Sequence, residues 1–110
     1  MEDVTRRDGG ATVVALSGDV DVGSGQRLRD LLSDALAAGP VVVDLSGVRF
    51  IDSAGIGMLV TAHRRAAEQG TAFLLAAPSE GAQRVLSLTR TDRLLVVHST
   101  VEDALAATGG

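Results

Sequence analysis

VVVDLSGVRFIDSAGIGMLV, running from Val41 to Val60, decides the fold. Val41-Val42-Val43 is a β-branched apolar run, the composition of a strand buried on both faces. Asp44-Leu45-Ser46-Gly47 reads as its end, and Val48 to Ile51 leads to Asp52-Ser53-Ala54-Gly55, where a helical pattern begins. Ile56, Leu59, Val60, His63 and Ala67 recur at helical spacing, as one face of a helix would. A buried strand therefore feeds a helix through a turn that presents Asp52 and Ser53. In parallel α/β sheets, sites gather at such turns, beyond the carboxyl ends of the strands.

The flanking sequence extends this pattern. Glu2 to Arg7 and Ala11 to Ser17, separated by Asp8-Gly9-Gly10, read as a hairpin. Gly18-Asp19-Val20-Asp21 breaks the second strand. Ser24 is the expected N-cap of a helix over Gln26 to Ala38, with Leu28, Leu31, Leu32, Ala35 and Leu36 as its apolar stripe. Gly39-Pro40 stops that helix. The helix after Ser53 is expected to run to Gln69, with Gly70 just past its end. Thr71 to Ala76 reads as a strand, and Pro78-Ser79 opens a helix to Leu88 with Val85 and Leu86 inward. Thr89 to Arg93 reads as a polar loop and Leu94 to His98 as a last strand. Ser99-x-x-Glu102 has capping-box spacing and starts a closing helix to Ala107, followed by a frayed Gly109-Gly110 tail. The order predicts one α/β domain over residues 1–110. It has an N-terminal β-hairpin, then alternating strands and helices, in a mixed, largely parallel sheet with helices packed mainly on one face.

Composition narrows the function. Aromatics are 2% of the chain, with no Trp or Tyr, so there is no stacking platform for bases or sugars. The net charge is −4 and every basic residue except the histidines is Arg, with no basic face for nucleic acid. No apolar run is long enough for a membrane span and no secretory signal is evident. Cysteine is absent, which removes disulfides and thiolate metal sites. A soluble cytoplasmic domain without nucleic-acid or membrane partners is the expectation.

The strand-to-helix turns place Asp19, Asp21 and Ser24 near Asp52, Ser53, Gly55 and Gly57, with Pro78 and Ser79 further along the same rim. The simplest reading of Ser53 is a helix N-cap, with Asp52 before it. Against a purely structural helix start stand Gly55 and Gly57, each of which costs roughly 0.5–1 kcal/mol relative to Ala. Close approach by another backbone, a ligand or a partner would give both a reason. Met58 falls off the apolar stripe and is expected to face solvent or a partner. A serine nucleophile lacks the G-x-S-x-G elbow, and His63 lies about 15 Å along the helix from Ser53. A P-loop lacks its Lys, and the dinucleotide fingerprint lacks its third Gly at Val60. Asp19, Asp21 and Asp52 have the chemistry of an oxygen-ligand metal site of the Mg2+ type, but acidic residues in such turns are more often caps and solvated charges; no metal is assigned. A Ser at a helix N-terminus is a good phosphate acceptor, because the dipole and free N–H groups stabilise an anion there.

Asp52-Ser53-Ala54-Gly55-Ile56-Gly57, preceded by Val42-Val43-Asp44-Leu45-Ser46, resembles the STAS domain family, and most of all its anti-sigma factor antagonists. Gly18-Asp19-Val20-Asp21 matches the family's element before the first helix, and the order of elements is similar along nearly the whole chain. The resemblance implies a regulatory protein rather than an enzyme, with no cofactor. It implies that Ser53 is phosphorylated by a cognate anti-sigma factor that is itself a serine kinase. The unphosphorylated form would bind that kinase and free the sigma factor, the phosphorylated form would let go, and a serine phosphatase would reset it. Many members carry Ser or Thr where Ala54 stands, so one alternative acceptor is missing. The resemblance also implies that Asp21 takes part in kinase recognition. Asp19, Asp21, Ser24, Asp52, Ser53, Ala54, Gly55, Gly57 and Met58 form the expected partner surface. Two other readings use the same residues: a STAS subunit of a transporter or stressosome-like assembly without a phosphorylation cycle, and a small-ligand or nucleotide-binding domain at the Gly55–Gly57 turn.

Overall fold

The computed structural model describes residues 1–109; Gly110, part of the expected tail, lies outside them. The expected hairpin is formed by β1 (Glu2–Asp8) and β2 (Ala11–Val20), paired antiparallel from Glu2–Ser17 to Asp8–Ala11. Three further strands, β3 (Val41–Ile51), β4 (Phe73–Ala76) and β5 (Val96–His98), add in parallel. The five strands lie side by side in chain order.

That order dictates the layering. Every parallel crossover steps the same way across the sheet, and right-handed crossovers stepping one way put their helices on one face. The crossover helices are α1 (Gly25–Ala37), α2 (Ser53–Gln69) and α3 (Glu80–Leu88), the last followed by the short α4 (Thr91–Leu94). Val14, Leu16, Val41, Val43, Leu45, Phe73 and Leu75 point toward them and join Leu28, Leu32, Leu36, Leu59 and Leu86 in the main core. The alternate residues Val13, Val42, Leu74 and Ala76 point the other way, where the final helix α5 (Val101–Ala106) covers them with Ala104. β2, β3 and β4 are thus buried on both faces, and their sequences read as unbroken apolar runs for that reason.

Several boundaries differ from expectation. Asp44-Leu45-Ser46-Gly47 does not end a strand: β3 continues for 11 residues to Ile51. Gly18-Asp19 does not break β2 either, which reaches Val20. Register shifts between Ala15 and Ser17 and between Gly18 and Asp19 let the two strands stay paired past these polar residues. Gly18 takes the second shift at φ +78°, a backbone that favours glycine. β4 begins at Phe73 rather than Thr71, β5 at Val96 rather than Leu94, and α4 stands where a loop was expected. The closing helix is capped one residue later, Thr100 accepting from the Asp103 amide at 3.0 Å, so Ser99 is not the cap. In α2 the buried stripe is Gly55, Leu59, Ala62 and Ala66. Ile56, Val60 and His63 are half-buried, and Ala67 is exposed. The helix is rotated about the small residues, which bring it close to the sheet. Gly70 ends it at φ +72°, as its position predicted.

β3 outruns its neighbour. It pairs with β4 only over Val41–Asp44, so its second half has β2 on one side and no strand on the other. The start of α3 closes this edge. The Ser79 amide donates to Leu45 O at 3.2 Å, its hydroxyl donates to Val48 O, and Ser79 Oγ accepts from the Ala82 amide as the N-cap of α3. Gly81 lies so near that a Cβ there would stand 2.5 Å from Arg49 O. An otherwise open strand edge, a hazard for aggregation, is covered and carried up to the turn at Ser53.

Candidate functional site

The extension of β3 lifts the β3–α2 turn to the top of the sheet, beside the end of β2. Asp52, not Ser53, is the N-cap of α2. Its backbone is extended (φ −97°, ψ −177°) and its Oδ1 accepts from the Gly55 amide at 3.0 Å. Its second oxygen accepts from the Val22 amide at 3.3 Å, and its own amide donates to Val20 O at 3.1 Å. One carboxylate thus caps a helix and fastens the turn after β2. Ser53 is the first helical residue and is exposed. Its side chain is released from the capping role that the sequence suggested, and it stands where the helix dipole favours a negative charge.

The neighbouring turn is a short 3-10 helix, Val22–Ser24. Ser24 makes no capping bond to α1. It is 7% exposed, and its hydroxyl donates weakly to Asp19 O and Asp21 Oδ1, both at 3.3 Å. Ser24 therefore organises this turn from inside, and the expectation that it touches a partner is corrected. Asp19 is held by Arg49 through two bonds, Nε to Oδ1 at 2.9 Å and Nη2 to Oδ2 at 2.8 Å. The guanidinium keeps the Asp19 carboxyl below its usual pKa, and Asp19 raises that of Arg49 in return. The charge of Asp19 is thereby paired, while neither Asp21 nor Asp52 has an ion-pair partner among the described residues. The three aspartates have turned to three different partners, and among the described residues no group of three His, Asp or Glu gathers as a metal site.

The two glycines differ. Gly55 is buried, and a Cβ on it would meet Val20 O and Ile51 Cγ1 at 2.8 Å and Val20 Cγ1 at 3.0 Å. The close approach it permits is internal, of α2 to the ends of β2 and β3, and not that of a partner or ligand. Gly57 is exposed, and a methyl added to it would have nothing within 4 Å, so it remains available to a partner. Ala54 is half-buried in the first turn. Met58, expected to face solvent or a partner, is only partly exposed. It is half-buried against the core, its Sδ and Cε within 4 Å of a Cβ position at Gly25, where α1 and α2 meet.

Sequence reading missed two residues on this rim. Val22 is 78% exposed and Phe50 is 49% exposed. Phe50 faces outward because of the register shift: Gly18 pairs with Val48 and Asp19 with Phe50, so Arg49 is an extra residue that resets the alternation. The only sequence signal was an aromatic in a chain that has two. His98 ends β5, which is separated from β3 by β4, and His63 lies ten residues into α2. Neither stands beside Ser53.

The five-stranded mixed sheet in chain order, with its crossover helices on one face, is the fold of a known class. The STAS domain model matches residues 4–104, and the chain belongs to the STAS domain family. It is 34% identical over 70 residues to a Thermotoga neapolitana protein provisionally named an anti-sigma factor antagonist, a match that spans 64% of this chain and 62% of that one. It is 27% identical over 103 residues to the anti-sigma-F factor antagonist RsfB of Mycobacterium tuberculosis, covering 92% of this chain and 84% of that protein. The crystal structure of an anti-sigma factor antagonist from Mycobacterium paratuberculosis superposes with a TM-score of 0.88 at 27% identity, over 99% of this chain and 94% of that one. No helix among the described residues is long and apolar enough to cross a membrane.

Proposed function

We propose that this protein is an anti-sigma factor antagonist controlled by phosphorylation of Ser53. Unphosphorylated, it binds a cognate anti-sigma factor serine kinase and releases the sigma factor; phosphorylated on Ser53, it lets go; a serine phosphatase restores it. It is a binding protein and not an enzyme. The names of its relatives support the general role. The observation that carries the switch is the division of labour at the start of α2, where Asp52 caps and Ser53 is exposed and free of that duty.

The chemistry follows from charge. A phosphate at Ser53 adds about −1.5 to −2 charges beside Asp52, on a helix terminus that tolerates it. The fold is left intact and the interface acquires a negative group. Where a partner buries that group without a matched cation, the cost is several kcal/mol, and every 1.4 kcal/mol is tenfold in affinity. Asp21, Asp52, Ala54 and Gly57 complete the contact surface, with Val22 and Phe50 as its apolar members and Asp19 contributing through its pair with Arg49.

Incubation with the cognate kinase and ATP, followed by mass spectrometry of peptides, tests the reading. One phosphate on Ser53 is expected, and none on the Ser53→Ala variant, which should still bind. Phosphate on Ser46, Ser79 or Ser99 in place of Ser53 would overturn the assignment.

A further inference from the structure

We infer that the free edge of β1 pairs with the same edge of a second copy of this chain, in a two-fold dimer that joins the two five-stranded sheets into one. This edge stands apart from the Ser53 turn and pairs independently of the role proposed for it. A sheet edge presents a row of unpaired N–H and C=O groups, and proteins blunt such edges by shortening or covering them. Here the edges at risk are those of the two outer strands and of the unpaired half of β3. β5 is only three residues long, and the upper half of β3 is closed by Ser79 and Gly81. β1 has neither protection. It runs for seven residues, pairs with β2 at every one of them without a bulge, and ends the strand order. All of its residues except Asp3 are exposed, Val4 at 69%.

The order of side chains along this edge selects a second copy as its occupant. Successive residues of a strand face opposite sides of the sheet. Asp3 accepts from Arg27 of α1, from Nε at 3.0 Å and from Nη2 at 2.9 Å, so Asp3, Thr5 and Arg7 face the helix layer. Glu2, Val4, Arg6 and Asp8 face the other way, where Arg6 and Asp8 form a loose, exposed ion pair at 3.6 Å. Antiparallel pairing of two copies about Val4 sets Val4 against Val4 and, on either side of it, Glu2 against Arg6. Opposite charges and β-branched residues directly across a ladder stabilise it, and like charges oppose it. The neighbouring registers are worse. Centred on Thr5, the pairing sets Glu2 against Asp8 twice, and its Asp3–Arg7 pairs would have to draw Asp3 away from Arg27. Centred on Asp3, it sets Asp3 against Asp3. One register is therefore favoured, and it is self-complementary, as a two-fold interface requires.

The pairing leaves the Ser53 turn open. β1 pairs with β2 only as far as Ser17, whereas that turn follows Ile51, which lies beside Val20 beyond the end of β1. Antiparallel pairing sets the two copies end for end, so their Ser53 turns lie at opposite ends of the joined sheet. Main-chain bonds and a few side chains make a small contact, and the dimer is accordingly a weak one that forms at high concentration.

Sedimentation equilibrium of the full chain from micromolar to millimolar concentration tests this. The average mass is expected to rise from 11.2 kDa toward twice that value. Glu2→Arg and Arg6→Glu should each weaken the dimer about tenfold, because each sets two like-charged pairs across the ladder. The double variant, Glu2→Arg with Arg6→Glu, should restore it. Val4→Lys sets two like charges at the two-fold axis and should abolish the dimer, with no change in Tm at low concentration, since this side chain already faces solvent. The chain has no cysteine, so Val4→Cys under mild oxidation should cross-link between copies much faster than Asp8→Cys. A monomer at every concentration would overturn the inference and leave the edge to an extended segment of a different protein. A dimer that survives Val4→Lys, a double variant no tighter than either single one, or equal cross-linking at positions 4 and 8 would overturn it as well.

Discussion

Gly55→Ala and Gly57→Ala, two residues apart in one helix turn, should change stability in opposite directions. Both replacements remove a glycine from α2, which favours the helix by roughly 0.5–1 kcal/mol. At Gly57 nothing lies within 4 Å of the added methyl, so this gain stands alone. At Gly55 the methyl would lie 2.8 Å from Val20 O. That carbonyl cannot move aside cheaply: it belongs to the last residue of β2 and accepts the Asp52 amide at 3.1 Å. Overpacking of this kind costs about 1–3 kcal/mol. After the helical gain is subtracted, a loss of about 1–2 kcal/mol remains, and the two variants should differ by about 2 kcal/mol. At about 4–8 °C per kcal/mol for a domain of this size, that is a gap of about 8–16 °C in Tm. Urea unfolding should show the same order in midpoint with an unchanged slope, since neither change alters the surface exposed on unfolding. A stabilised Gly55→Ala, or a destabilised Gly57→Ala, would refute the assignment of one glycine to packing and the other to the surface. The same pair probes the proposed interface, because a more stable Gly57→Ala that loses affinity for the proposed anti-sigma factor partner would locate that partner's approach there.

Asp52→Ala should cost about 1–3 kcal/mol, combining a lost cap with a loosened Val22 turn, whereas Ser53→Ala should stay within about 0.5 kcal/mol of the parent; thermal melts followed by circular dichroism compare them. Gly81→Ala should destabilise by about 1–3 kcal/mol and speed amide exchange in the second half of β3, because its methyl would meet Arg49 O. Arg49→Gln should let the Asp19 pKa rise toward its ordinary value of 3.8, read by NMR titration. The folded carboxyl of the parent titrates below that value, so the stabilisation from this pair is present above it and fades as pH falls through the lowered pKa; the variant should lack that dependence. Val22→Ser and Phe50→Ser should weaken partner binding with little change in Tm, since both side chains already face solvent.

The alternation of apolar runs with helical stripes was enough to read the element order, the hairpin and the helix layer, because burial on both faces leaves a plain signature at Val41-Val42-Val43. The long β3 was not legible. Asp44, Ser46 and Gly47 are turn residues by local chemistry, and only pairing with β2 and the cover from Ser79 and Gly81 keep them extended. At the site, the exposure of Ser53 was readable as a helix start, yet the cap fell one residue earlier, since Asp and Ser are both good caps and the backbone geometry chooses between them. Met58 and Gly55 were misplaced for a shared reason. Their environment depends on how α2 is rolled against β2 and α1, and a stripe of hydrophobicity does not record small residues as the side that goes in.

Because Asp52 holds the helix start and the Val22 turn together, while Ser53 touches neither bond, the scaffold and the proposed switch occupy adjacent positions without sharing a task. If Ser53 is the phosphoacceptor proposed, a lineage carrying this domain could discard or restore its response to a kinase by exchanging one surface hydroxyl, and folding would exert no objection. The neighbouring aspartate has no such freedom. On that proposal, the aspartate would be required for architecture with or without phosphorylation, and only the residue after it would decide whether the signal can be used.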